Sequence, residues 1–211
     1  SRAYIPAIDE LRVTMYDIDS NYYGVYGEYG EGLGQFKWPT AIASDKDGNI
    51  YISDEQTNRI NIYSDTGIPI SHWGSSGIEM GKLRGPSGIA FDANDDLYIS
   101  DHLNNRIQKF TKAGQFIKSF GNVGDDVNKL SLPWGITIGP DNYVYIADWA
   151  NHRINKYSGQ GDFVRGFGSH GSGDGEFTNP ASVAVDSNGY IYVADWGNER
   201  VQILDYDGNF V

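Results

Sequence analysis

The chain has 211 residues, no cysteine, 28 acidic against 16 basic residues and a formal charge of −12 at pH 7. Without cysteine there are no disulfides and no thiolate metal centres, and the acidic balance opposes general binding to nucleic acid or anionic lipid, which depends on clustered Lys and Arg. No stretch reaches the roughly 18 consecutive apolar residues of a membrane helix, so no membrane insertion is expected.

Residues 1–27 read as the second, third and fourth strands of a repeat unit that lacks its own first strand: YIPA, then LRVTMYD, then YYGVYG. From there a fixed ruler governs the chain. Pro39, Pro86, Pro133 and Pro180 lie 47 residues apart. So do Asp54, Asp101, Asp148 and Asp195, and so do Arg59, Arg106, Arg153 and Arg200. An aromatic-Gly pair closes each period at Trp73-Gly74, Phe120-Gly121 and Phe167-Gly168, and Tyr26-Gly27 extends the pattern backwards. A constant period without insertions means one supersecondary unit copied along the chain. Full repeats occupy 28–74, 75–121 and 122–168, with a near-complete repeat at 169–211, all within one domain.

Within a unit, the proline opens a first strand (PSGIAFD), followed by LYISD, NRIQKF and QFIKSFG. Apolar runs of four to six residues rich in Ile, Val, Tyr and Phe, bounded by Gly, Asn or Asp, are strand chemistry. Asp47-Gly48 and Asn188-Gly189 mark tight hairpins between first and second strands. Gly67, Gly114, Gly161 and Gly208 fall at the turn between third and fourth, where a positive φ favours glycine. Four short antiparallel strands per 47 residues fit the blade of a β-propeller, whose period is about 40–50 residues. The expected fold is all-β: a propeller of four-stranded blades with each Pro-led strand innermost. About four and a half blades are present, as part of a ring or as a five- to six-bladed ring. Blade edges left open would be covered by further blades or by self-assembly.

The proline, the first-hairpin glycine, the (I/V)-(S/A)-D at the end of the second strand and the N-x-R-(I/V) run opening the third resemble the NHL repeat over nearly the whole chain. The name-giving Asn-His-Leu is approximated only by Asn151-His152-Arg153 and His102-Leu103-Asn104. Related amidating lyases place zinc-binding histidines directly after the inner-strand proline, and lactonase-like propellers set Glu, Asp and Asn around the channel mouth. At the positions after the prolines this chain has Thr40, Ser87, Trp134 and Ala181, so the resemblance implies neither ligand set.

Candidate chemistry therefore falls to the loops that a propeller gathers on one face. Their acids are Glu28, Glu31, Glu55, Glu79, Asp125, Asp126, Asp174, Glu176 and Glu199, against Lys37, Lys82, Arg84 and Lys129. That balance suits cationic, carbohydrate or protein partners. The repeated aspartates and arginines are read as structural, each Asp accepting loop N–H groups and pairing with the Arg five residues on. His102 and His152 fall in second-to-third-strand loops at different repeat positions, and His170 in a connector, so no three-histidine zinc site is expected. Trp149 and Trp196 hold equivalent loop positions and Trp134 follows an inner-strand proline. Such side chains either anchor a partner or pad the blade interfaces. The resulting expectation is a non-enzymatic binding or scaffold module, secreted or on the cell surface, without metal or other cofactor, engaging protein or carbohydrate through Trp134, Trp149, Trp196, His102 and His152. The competing expectation is a lyase- or lactonase-like enzyme whose metal ligands lie partly outside this chain.

Overall fold

A computed structural model of the chain describes residues 2–7, 12–17, 22–122, 124 and 126–211. Blade I comprises β1 (Arg2–Ala7), β2 (Arg12–Asp17) and β3 (Tyr22–Tyr26). A short parallel pair, β4 (Glu28–Tyr29) and β5 (Gln35–Phe36), leads into blade II. Blade II is β6 (Pro39–Ser44), β7 (Ile50–Asp54), β8 (Arg59–Tyr63) and β9 (Pro69–Trp73). Blade III is β10 (Pro86–Phe91), β11 (Asp96–Asp101), β12 (Arg106–Thr111) and β13 (Phe116–Phe120). Blade IV is β14 (Pro133–Ile138), β15 (Val144–Asp148), β16 (Arg153–Tyr157) and β17 (Phe163–Phe167). Blade V is β18 (Pro180–Val185), β19 (Ile191–Asp195) and β20 (Arg200–Leu204), with a lone bridge from Leu204 to Phe210 where a fourth strand would start.

Every blade pairs its strands in chain order and antiparallel, and helix among the described residues is confined to single 3-10 turns at 102–104, 149–151 and 196–198. The Pro-led strands β6, β10, β14 and β18 pack on one another in succession, which makes them innermost. Here glycine has a packing role: a Cβ at Gly88 would lie 2.5 Å from the Trp134 carbonyl oxygen, and one at Gly135 would lie 2.7 Å from Ser182 Cα. The first hairpins differ from a two-residue turn. Gly48 N–H donates to Asp45 C=O and Asp45 N–H to Asn49 C=O. The loop is thus three residues long, ending at a left-handed residue, with Gly48, Asp95, Asn142 and Gly189 all at positive φ. Asp and Asn tolerate that conformation locally, which is why only two of the four loops show the Gly signature.

The core lies between blades. Ile60, Leu83, Leu97 and Phe110 bury the II–III junction, Ile107, Leu130, Ile146 and Tyr157 the III–IV junction, and Ile154, Phe177, Val193 and Leu204 the IV–V junction. Each connector carries one wholly buried plug on the same 47-residue ruler, Phe36, Leu83, Leu130 and Phe177.

Candidate functional site

Register fixes which loops share a face. The proline opening each inner strand lies opposite the aspartate closing the second strand: Pro39 opposite Asp54, Pro86 opposite Asp101, Pro133 opposite Asp148, Pro180 opposite Asp195. Connectors into the inner strands and loops from second to third strand therefore emerge together, on what we call the top face.

The repeated aspartates hold this face up from beneath. All four are fully buried. Asp148 accepts from Ser131 N–H at 2.7 Å, Asn151 Nδ2 at 2.9 Å, Arg153 Nε at 3.0 Å and Asn155 Nδ2 at 2.9 Å. Asp101 and Asp195 have matching partners, with Arg106 Nε at 2.6 Å and Arg200 Nε at 2.9 Å. The guanidinium of each arginine also clamps connector carbonyls, as Arg106 does with Ile78, Glu79 and Lys82. Blade II departs from the expected pairing. Asp54 accepts instead from the backbone N–H groups of Lys37, Trp38, Gln56 and Thr57, and Arg59 Nε is buried without a partner. At the matching position Thr57 stands where Asn104, Asn151 and Asn198 donate to the aspartate in the other units. Burial raises the Asp148 carboxyl above its ordinary value despite the Ser131, Asn151 and Arg153 donors. Burial also acts on Asp195, but there the Asn198, Thr178 and Arg200 donors outweigh it and the carboxyl is held low.

A second device joins neighbouring blades. In blades II, III and IV the left-handed residue ending the second-to-third-strand loop lends a side chain to the residue just before the next proline. Asn58 Oδ1 accepts from Gly85 N–H at 2.9 Å, Asn105 Oδ1 from Leu132 N–H at 2.8 Å and His152 Nδ1 from Asn179 N–H at 3.0 Å. His152 is also 4.3 Å, centroid to centroid, from His170. Burial, and then the nearby His170, lower its pKa.

Above this framework lie the tryptophans. Trp134, Trp149 and Trp196, with Ala181, line one pocket of about 310 Å3. The Trp149 and Trp196 rings stand 6.4 Å apart at 43°, and His102 meets the Trp134 ring edge-on at 4.6 Å and 80°. Trp196 is 66% exposed, while Trp134 and Trp149 are half-buried. The first position of the second-to-third-strand loop thus carries Glu55, His102, Trp149 and Trp196 in successive blades. Glu55 is half-buried, and its carboxyl is raised by burial and then by Asp54. His102 is buried; burial lowers its pKa against the opposing backbone of Pro133 and Leu132. Of the loop acids, Asp125 lies outside the described residues.

The other face holds ion pairs. Asp45, Asp47 and Asp95 converge closely enough to hold a cation, but Lys112 Nζ lies 3.8, 2.6 and 3.1 Å from their oxygens and fills that role. Sequence reasoning singled out the tryptophans and the histidines one by one. It missed the His152–His170 contact and the inter-blade hydrogen bonds. The signal for the latter was present, since positions 58, 105 and 152 are Asn, Asn and His on the 47-residue ruler.

Two family models match parts of the chain: a 6-bladed beta-propeller family over residues 136–211 and the NHL repeat over residues 83–110. No curated protein sequence matches. Among solved structures, the chain is similar to a catalytically inactive virginiamycin B lyase from Staphylococcus aureus with quinupristin, at TM-score 0.74 and 16% identity, covering 100% of this chain and 65% of that one. It is also similar to a streptogramin B lyase, at TM-score 0.73, 15% identity and coverages of 100% and 64%. A protein of unknown function from Bacteroides caccae gives TM-score 0.69, 12% identity and coverages of 100% and 71%. The chain spans less than two thirds of the length of the two lyases, and at such identities the likeness concerns the fold.

Proposed function

Starting from a chain that is an NHL-repeat β-propeller, we propose that it is a non-enzymatic binding module whose top face engages a protein or carbohydrate partner at the cell surface or outside the cell. One observation carries the reading: three indoles from two adjacent blades converge on a single open pocket, and neither Trp149 nor Trp196 is consumed by blade packing. Tryptophan gives large contact area at low entropic cost, so exposed convergent indoles are typical anchors. The repeated Asp and Arg belong to the framework: three units pair them directly, and in blade II Asp54 binds loop N–H groups while Arg59 clamps connector carbonyls.

The test is capture of ligands from a panel of oligosaccharides and displayed peptides, followed by tryptophan fluorescence titration. Wild-type protein is expected to retain at least one class, and Trp149→Ala/Trp196→Ala to lose it with an unchanged melting temperature. Equal retention by the double variant would move the site elsewhere. Fractionation of the source cells tests the location, and recovery of the protein only from the cytosol would overturn it.

A second reading, lyase- or lactonase-like catalysis, draws on the fold likeness and on Glu55, the half-buried rim carboxyl with a raised pKa. Turnover of a lactone or streptogramin panel that Glu55→Gln abolishes would establish it in place of the binding reading.

A further inference from the structure

Resting on the binding-module reading, we infer that the pocket of Trp134, Trp149 and Trp196 takes a methylated or quaternary ammonium group. Its walls are three indoles and the methyl of Ala181. Apart from indole N–H groups, no side-chain donor or acceptor lines it. A sugar bound there would leave its hydroxyls without partners, and an anion would find no cluster of donors; each loses the hydrogen bonds it made to water. A bare ammonium fails for the same reason, because its three N–H donors need acceptors. Methylation removes those donors and leaves a soft cation whose best partner is an aromatic face, within about 6 Å of the ring centroid. Trp149 and Trp196, 6.4 Å apart at 43°, both line the pocket, so a cation seated there lies beside two indoles at once. The His102 ring packs edge-on against Trp134 and steadies the third wall.

Charge separates a cation from a neutral apolar group of the same shape. The described top-face loops carry eight carboxylates and four cationic side chains. One of those cations, Lys37, is already paired with Glu31. Glu199 follows Trp196 by three residues in the same turn. The field over the pocket therefore concentrates cations and repels anions, which disfavours zwitterions that carry a carboxylate or phosphate. At about 310 Å3 the space lies at the small end of ligand pockets, about 300–1,000 Å3, a fit for a headgroup and not for an oligosaccharide.

The test is calorimetric and fluorescence titration of the 1–211 protein with choline, with a trimethyllysine peptide, and with 3,3-dimethyl-1-butanol, the uncharged carbon isostere of choline. The two ammonium arms distinguish a free small molecule from a modified protein as the source of the group. At least one ammonium probe is expected to bind about tenfold or more tightly than the alcohol, to weaken with added salt, and to lose its binding in Trp149→Ala and in Trp196→Ala at unchanged melting temperature. Equal affinity for the isostere, or binding indifferent to both substitutions, overturns the inference. If neither ammonium probe binds while the tryptophans still govern capture of a glycan or an unmodified peptide, the cation assignment falls and the binding module stands. If nothing bound depends on the tryptophans, both fall.

Discussion

Four donors, from Ser131, Asn151, Arg153 and Asn155, end on the buried carboxylate of Asp148. Taking it away strands all four, so Asp148→Ala is expected to lower stability by about 1–3 kcal/mol, read from the urea midpoint. A midpoint equal to wild type would mean that the donors re-pair with water. The same residue pulls in opposite senses in adjacent blades. Asp148, raised by burial, adds stability below its unfolded pKa, and this is lost as pH rises through its folded value. Asp195, held low by its donors, adds stability above its unfolded pKa, and this is lost as pH falls through its folded value. Spacing alone made the Arg153–Asp148 and Arg106–Asp101 pairs legible. It failed at Arg59–Asp54, where Thr57 replaces the donating Asn and the carboxylate meets only backbone N–H groups, and a five-residue interval does not record a rotamer.

At the scale of strands and loops, the ruler made nearly every strand readable, because hydrophobic runs and turn residues are local. The His152–His170 contact was not readable, since it joins unlike repeat positions, whereas the inter-blade hydrogen bonds left a trace in the Asn, Asn and His at positions 58, 105 and 152. The His152–Asn179 hydrogen bond needs an unprotonated Nδ1, and the neighbouring His170 ring disfavours a charge on His152. The lowered pKa of His152 means that this contribution is complete above its unfolded pKa and is lost as pH falls through the folded value. Because the imidazole is partly solvated, the loss from pH 7 to pH 5 is expected not to exceed about 1 kcal/mol. His152→Asn, which copies Asn58 and Asn105, is expected to match wild type at pH 7 and to flatten that slope in thermal melts. An unchanged slope would place the titration elsewhere. Among the inner strands, Gly88→Ala drives a methyl toward the Trp134 carbonyl and Ile136 N. A cost of about 1–3 kcal/mol is expected, together with altered Trp134 emission, because the same backbone carries a wall of the pocket. Unchanged melting and emission would show that the inner strands part freely.

Across the whole molecule, the blades are covered unequally. Tyr51, Tyr98 and Tyr145 are buried against a neighbouring blade, as are Ile60, Ile107 and Ile154. Their counterparts in blade V, Tyr192 and Val201, are 36% and 67% exposed, and Ile203 is 37% exposed. Such a face invites association. The 1–211 polypeptide is expected to self-associate with rising concentration in sedimentation velocity, and Val201→Glu/Ile203→Glu to suppress this; monomers throughout the range would show that the face tolerates water. The inter-blade hydrogen bonds add a direction. At the II–III, III–IV and IV–V junctions the left-handed loop residue of the earlier blade accepts from a backbone N–H of the later one, while inner-strand hydroxyls such as Ser53 and Ser87 donate the other way, so the two sides of a blade are chemically unlike. Copies that pack the blade V face against the unlike, opposite side of a blade in another copy associate heterologously and not as a two-fold pair. Their stacking is head-to-tail, and the sedimentation profile should spread into a ladder of sizes with no preferred dimer.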